Sequence, residues 1–177
     1  MRTFIVGTIL IFSCLAICCG LGKYVSIRHN FAVSESMSPT IKPGDHFASI
    51  GIKDNDIDPI NRFDIVVFKP PPNPKRGVDE NQRWVFRVIG LGGEKIELKK
   101  GIVFINDKMI DETSFTKIPS EDSFKALIVP SNEYFLMGDN RPNSEDSRYI
   151  KTIKRDDIDG KVDSIIRKED YDNGKRW

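Results

Sequence analysis

Thiols and imidazoles are scarce in this chain. All three cysteines, Cys14, Cys18 and Cys19, lie in an N-terminal apolar run, so nothing from Leu21 onward carries a thiol. A disulfide framework or a thiolate zinc site is therefore excluded there. Two histidines, His29 and His46, are too few for a histidine-based metal centre, and neither a metal nor an organic cofactor is expected. Charge of one sign is not in excess either. With 27 Lys and Arg against 26 Asp and Glu, no long-range field recruits nucleic acid, and there is no basic block of the kind that forms a nucleic-acid arm. No period of roughly 20 to 50 residues recurs, which removes solenoids and propellers. At 177 residues the chain has room for one domain with a real core.

What the sequence does have is a long uncharged stretch. Phe4 to Gly22, "FIVGTILIFSCLAICCGLG", is 19 residues without a charge, which at about 1.5 Å per residue matches the roughly 30 Å of a bilayer core. A cleaved signal peptide has a shorter apolar core and a small-x-small cleavage site, and a lipoprotein signal wants a small residue where Ile17 precedes Cys18. Residues 1–30 are therefore read as a single-pass anchor with a juxtamembrane segment, and 31–177 as the folded domain. Orientation stays open on charge alone, because Arg2 and the α-amino group flank one end and Lys23 and Arg28 the other.

Beyond the anchor the chain breaks into short β-branched and aromatic runs. "DIVVFK" (64–69), "RWVFRVIGL" (83–91), "GIVFIND" (101–107) and "EYFLMG" (133–138) read as strands. "GIVFINDKMIDE" reads as a hairpin turning at Asn106 and Asp107. "IKPGDHF" (41–47) supplies a turn and then a strand. The proline-rich "KPPPNPKRGVDENQ" (69–82) is an exposed connection, and the apolar part of 153–171 either closes the sheet or frays. The class is mainly β.

Two polar stretches carry the chemistry. "SESMSPT", Ser34 to Thr40, holds four hydroxyls in seven residues, and "GDNRPNSEDSR", Gly138 to Arg148, follows an apolar strand directly. Each alone is explained by loop propensity. Together and in order, "SESMSPTIKPGD", "RFDIVVFKPP", "FRVIGLGGEKIE" and "GDNRPNSEDSR" resemble the consecutive sequence boxes of type I signal peptidases, membrane-anchored serine endopeptidases. The resemblance runs from about Phe31 to Val162 and includes "VPSNEYFLMGDNR" and "IDGKV".

That resemblance implies a β fold of coiled antiparallel sheets and a role for each matched position. Ser36 falls on the nucleophile of an acyl-enzyme mechanism, and Ser34 on the hydroxyl that helps the Ser36 backbone form the oxyanion hole. Ser144 and Asp146 fall on residues that support the catalytic pair, and Arg148 and Arg87 on arginines that hold the site through ion pairs. It further implies signal peptides of exported preproteins as substrates, the lipid bilayer as partner, and a catalytic domain on the outer side of the cytoplasmic membrane.

One position departs. Where the family has the lysine whose neutral amine takes the serine proton, this chain has Phe86, which cannot titrate, and a serine hydroxyl needs a base to become a competent nucleophile. Slipping the register by one residue would offer Arg87, which stays protonated and would turn the whole strand over. Lys69 and Lys95 are the nearby amines, and His46 reads as a partly exposed strand histidine. Further departures are Gly92 and Glu94 for Pro and Asp, the glycine expected to loosen its turn, and Phe63 for Gly. If Phe63 and Phe86 touch, the pair fills the space of the missing lysine. The competing reading is a catalytically silent relative that keeps the groove and binds exported peptides or assembly partners. An autoproteolytic repressor is disfavoured by the absence of a DNA-binding module.

Overall fold

The structure is a computed structural model that describes residues 26–52, 59–73, 78, 81–117 and 120–177. The expected anchor, Phe4 to Gly22, lies outside the described residues, as does part of the proline-rich connection. Among the described residues no helix is long and apolar enough to cross a membrane.

The mainly β expectation holds. Eleven strands lie in two antiparallel sheets among the described residues. The larger contains β1 (Ile27–Phe31), β2 (His46–Gly51), β3 (Ile65–Phe68), β4 (Trp84–Gly90), β9 (Glu133–Met137), β10 (Ile153–Lys154) and β11 (Ile158–Ile166), in the order β1-β2-β11-β3-β4-β9-β10. The smaller contains β5 (Lys95–Lys99), β6 (Ile102–Ile105), β7 (Lys108–Met109) and β8 (Phe124–Ile128), in the order β7-β6-β5-β8. Two short helices, α1 (Ser147–Ile150) and α2 (Lys168–Asp172), close the segments that follow β9 and β11.

The expected hairpin is present between β6 and β7, with Asn106 and Asp107 both at positive φ, 49° and 65°. That pair of left-handed residues matches the twist of the flanking strands. The apolar part of 153–171 does close the sheet, because β11 sits between β2 and β3 and pairs with both. β11 bends where its register shifts between Val162 and Ser164, which lets one long strand serve two neighbours.

β4 positions the site. Its side chains alternate between two cores: Phe86 and Val88 pack into one with Met37, Val66 and Phe68, and Ile89 into the other with Ile96, Leu98, Phe115 and Phe135. The period of two that sends Phe86 to one face sends Arg87 to the other. Phe63 belongs to the second core, its ring 5.3 Å from that of Phe115. The two phenylalanines therefore lie in different cores and do not jointly fill a lysine-sized space, contrary to expectation. Phe63 instead adopts φ 75°, a conformation that glycine takes without strain and bulky residues seldom do.

The turn at Gly92 is also tighter than expected. Any side-chain carbon there would overlap the Ser131 carbonyl. The Glu94 carboxylate accepts from the Leu91 N–H at 2.7 Å and pairs with Arg62. A turn pinned on two sides gains little freedom from its glycine.

Candidate active site

The loop after β1 carries Ser34 and Ser36 to the mouth of a cleft of about 550 Å³. Their hydroxyl oxygens lie 3.0 Å apart. Met37, immediately after, is fully buried and anchors the loop by burying an apolar side chain, an effect of about 2 kcal/mol. The loop is further held by backbone bonds Ser38 N–H to Glu35 C=O at 3.0 Å and Ile41 N–H to Met37 C=O at 2.9 Å.

Two stretches of backbone border the cleft, the end of β1 with the residues to Ser34, and the start of β4 from Arg83 to Phe86. Strand β9 pairs with β4 only from Arg87 onward. On that side Trp84 to Phe86 has no strand neighbour among the described residues, and all three residues line the cleft. Phe86 is buried, 4% exposed, and its ring packs 5.7 Å from Phe68 and 6.0 Å from Trp84 while forming part of the cleft wall. Ser36 and Phe86 thus share one cavity.

The segment Gly138 to Arg148 forms the floor behind Ser36. The Asn140 N–H donates to the Ser36 carbonyl at 3.0 Å, and the Asn140 side-chain amide donates to the Glu35 carbonyl at 3.1 Å. Gly138 is required there, since a methyl group at its Cα would overlap both Ser144 Oγ and the Ser36 carbonyl oxygen. Asp146, fully buried, accepts from the Gly138 N–H at 3.0 Å, from the Arg148 N–H at 3.2 Å and from the Arg148 guanidinium at 2.8 Å through both Nε and Nη2. Arg148 also pairs with Asp122 and donates to the Arg141 carbonyl at 2.6 Å. Burial alone would lower the pKa of Arg148, but the Asp146 and Asp122 carboxylates outweigh it and hold the guanidinium above its ordinary value.

Arg87, on the opposite face of β4 from Phe86, forms a two-point ion pair with Asp139, Nε to Oδ1 at 2.8 Å and Nη2 to Oδ2 at 2.6 Å. It also donates to the Phe63 carbonyl at 2.9 Å, and its guanidinium lies 4.1 Å from the centre of the Phe115 ring. Thr40 donates to the same Asp139, which ties the serine loop to this pair.

Ser144 is buried and its Oγ has no hydrogen-bond partner among the described residues. A buried hydroxyl without a partner costs about 1–3 kcal/mol. Neither Lys69 nor Lys95 lines the cleft; Lys95 pairs with Asp107 at 2.6 Å in the smaller sheet. His46 is indeed half-buried on β2, and its Nδ1 meets His29 Nε2 at 2.9 Å while its ring stacks on Tyr171.

Ser34, Ser36 and Phe86 thus line one cleft, with Ser144 outside that lining beside Gly138 and the Ser36 carbonyl, Asp146 and Arg148 behind, and Arg87 bracing the far face of β4. Sequence reading left several participants without a role: Gly138, Asp139, Asn140, Thr40 and Glu145, which also lines the cleft. All five stand inside the motif stretches, but their work depends on contacts across about 100 residues of chain, which spacing does not display.

The family model described as "Signal peptidase, peptidase S26" matches residues 3–167. The signal peptidase I of Bacillus caldolyticus is 31% identical over 163 residues, covering 84% of this chain and 85% of that protein. The signal peptidase IB of Staphylococcus aureus is 31% identical over 161 residues, covering 80% and 78%. The probable signal peptidase I-2 of Synechocystis is 31% identical over 143 residues, covering 81% of this chain and 64% of that relative's length.

Proposed function

The chain belongs to the signal peptidase (peptidase S26) family, and on that premise we propose that it is a membrane-bound serine endopeptidase that removes signal peptides from exported preproteins. The observation that carries this reading is the placement of the Ser36 hydroxyl, 3.0 Å from that of Ser34, at a peptide-sized cleft bordered by a stretch of β4 that pairs with β3 on one edge and has no strand neighbour on the other among the described residues. An extended peptide adds to such an edge by backbone hydrogen bonds, and the apolar wall selects its side chains. Ser36 Oγ then attacks the scissile carbonyl, the Ser36 N–H and the Ser34 hydroxyl stabilise the oxyanion, and water releases the acyl group. The apolar run at residues 4–22 anchors the domain on the outer side of the cytoplasmic membrane. Tethering enzyme and precursor to one bilayer raises their effective concentration.

A second reading has its own support. Phe86 forms part of the cleft wall, where the family resemblance implies a lysine, and the Ser144 hydroxyl has no partner among the described residues. On that reading the chain binds exported peptides without cutting them. Cleavage of a secretory precursor in detergent micelles separates the two. Wild-type cleavage that disappears in Ser36→Ala supports the peptidase. An inert wild type that binds the precursor as tightly as Ser36→Ala does supports the silent binder.

A further inference from the structure

We propose that Glu145 is the general base of this chain, taking the proton that the family's lysine takes elsewhere. The inference rests on the reading of Ser36 as nucleophile. Of the described side chains lining the cleft, three are titratable: His29, Arg83 and Glu145. Arg83 cannot accept a proton near neutral pH and is paired with Asp159. His29 is on β1, its Nε2 directed at His46 Nδ1 and its ring packed against Trp177. Its Nε2 and its ring face are thereby engaged.

Glu145 is on the segment that is bonded to that loop. It follows Ser144, whose Oγ approaches the Ser36 carbonyl across Gly138, and it shares the segment with Asn140, whose N–H holds that carbonyl at 3.0 Å. Asp146, next in the chain, is buried and held by Gly138 and Arg148, so the backbone on either side of Glu145 is fixed. Glu145 is half-buried and already has a partner. A carboxylate offers about four lone-pair directions, enough for that partner and a serine hydroxyl together.

The proton balance closes without any further reactant. The Glu145 carboxylate takes the Ser36 proton as Oγ bonds to the scissile carbonyl carbon. The resulting carboxylic acid protonates the leaving amine as the C–N bond breaks, giving the acyl-enzyme. Glu145 then takes a proton from water as it attacks the ester, and returns one to Ser36 Oγ as the ester bond breaks.

A carboxylate base works above its own pKa, ordinarily about 4.3, whereas an amine base must first lose its proton and works only toward neutral or alkaline pH. The test is cleavage of a secretory precursor by the full chain in detergent, followed from about pH 4 to 9, for wild type, Glu145→Gln, Ser36→Ala and Phe86→Lys. Expected are wild-type cleavage with an acid limb in the carboxylate range, and a fall in kcat/KM of about 10² to 10⁴ in Glu145→Gln, carried by kcat, with thermal unfolding unchanged. Glu145→Gln that cleaves like wild type overturns the proposal and leaves Ser36 as nucleophile. So does an inert wild type beside an active Phe86→Lys. Phe86→Lys and wild type both inert overturn the reading of Ser36 itself.

Discussion

Ser144 carries opposite effects on stability and on activity. Its buried Oγ is without a partner among the described residues, so removing it relieves a desolvated group, and Ser144→Ala raises stability by about 1 kcal/mol by urea unfolding. The family resemblance implies that in the Phe86→Lys background the same hydroxyl meets an amine. There Ser144→Ala both destabilises the protein and reverses any activity that the lysine confers, by about tenfold or more. A double-mutant cycle measures this, and equal effects of Ser144→Ala in the two backgrounds would show that the hydroxyl and position 86 do not meet. Gly138 has no such freedom. Gly138→Ala drives a methyl group into Ser144 Oγ and the Ser36 carbonyl, and precursor binding and thermal stability fall together.

Among the elements, α2 depends on a single carboxylate. Asp45, in the turn before β2, accepts from the Lys168 N–H at 3.0 Å, from Arg167 Nη1 at 2.6 Å and from the Lys42 N–H at 2.9 Å. Burial would raise its pKa, but the backbone donors of Lys42 and Lys168 and the Arg167 guanidinium outweigh burial and hold it below the ordinary value. A depressed carboxylate contributes stability that is fully present above its unfolded pKa, about 3.9. That stability is lost as pH falls through the lower folded pKa. Asp45→Asn is therefore expected to lower the unfolding temperature at pH 7 and to flatten its dependence on pH in the acid range. An acid limb equally steep in wild type and variant would show that other carboxylates carry it.

At the scale of the whole molecule, Arg87 joins the two cores. It extends from β4, a strand of the larger sheet, to Asp139, the Phe63 carbonyl and the Phe115 ring of the second core. Lysine keeps the charge but loses the planar fork that makes the two-point pair. Arg87→Lys is expected to cost about 3 kcal/mol of stability, since an imperfectly paired buried Asp139 remains. The same substitution loosens the serine loop through Thr40, which donates to Asp139. Chemical unfolding and precursor cleavage measured on one preparation would check both, and a loss of activity without a loss of stability would contradict the bracing role.

Much was legible in the residues themselves: the strands at 65–68, 84–90, 102–105 and 133–137, the Asn106–Asp107 turn, and the motif stretches that mark the family, because alternation, turn chemistry and short motifs are local in the chain. The assignment of Phe63 and Phe86 to separate cores was not legible, nor the packing of Gly92 against Ser131, nor the gathering of Glu145 and Ser36 at one cleft. Those depend on how β4 divides two cores and on contacts between residues about 100 positions apart, and only a closed tertiary structure sets such distances.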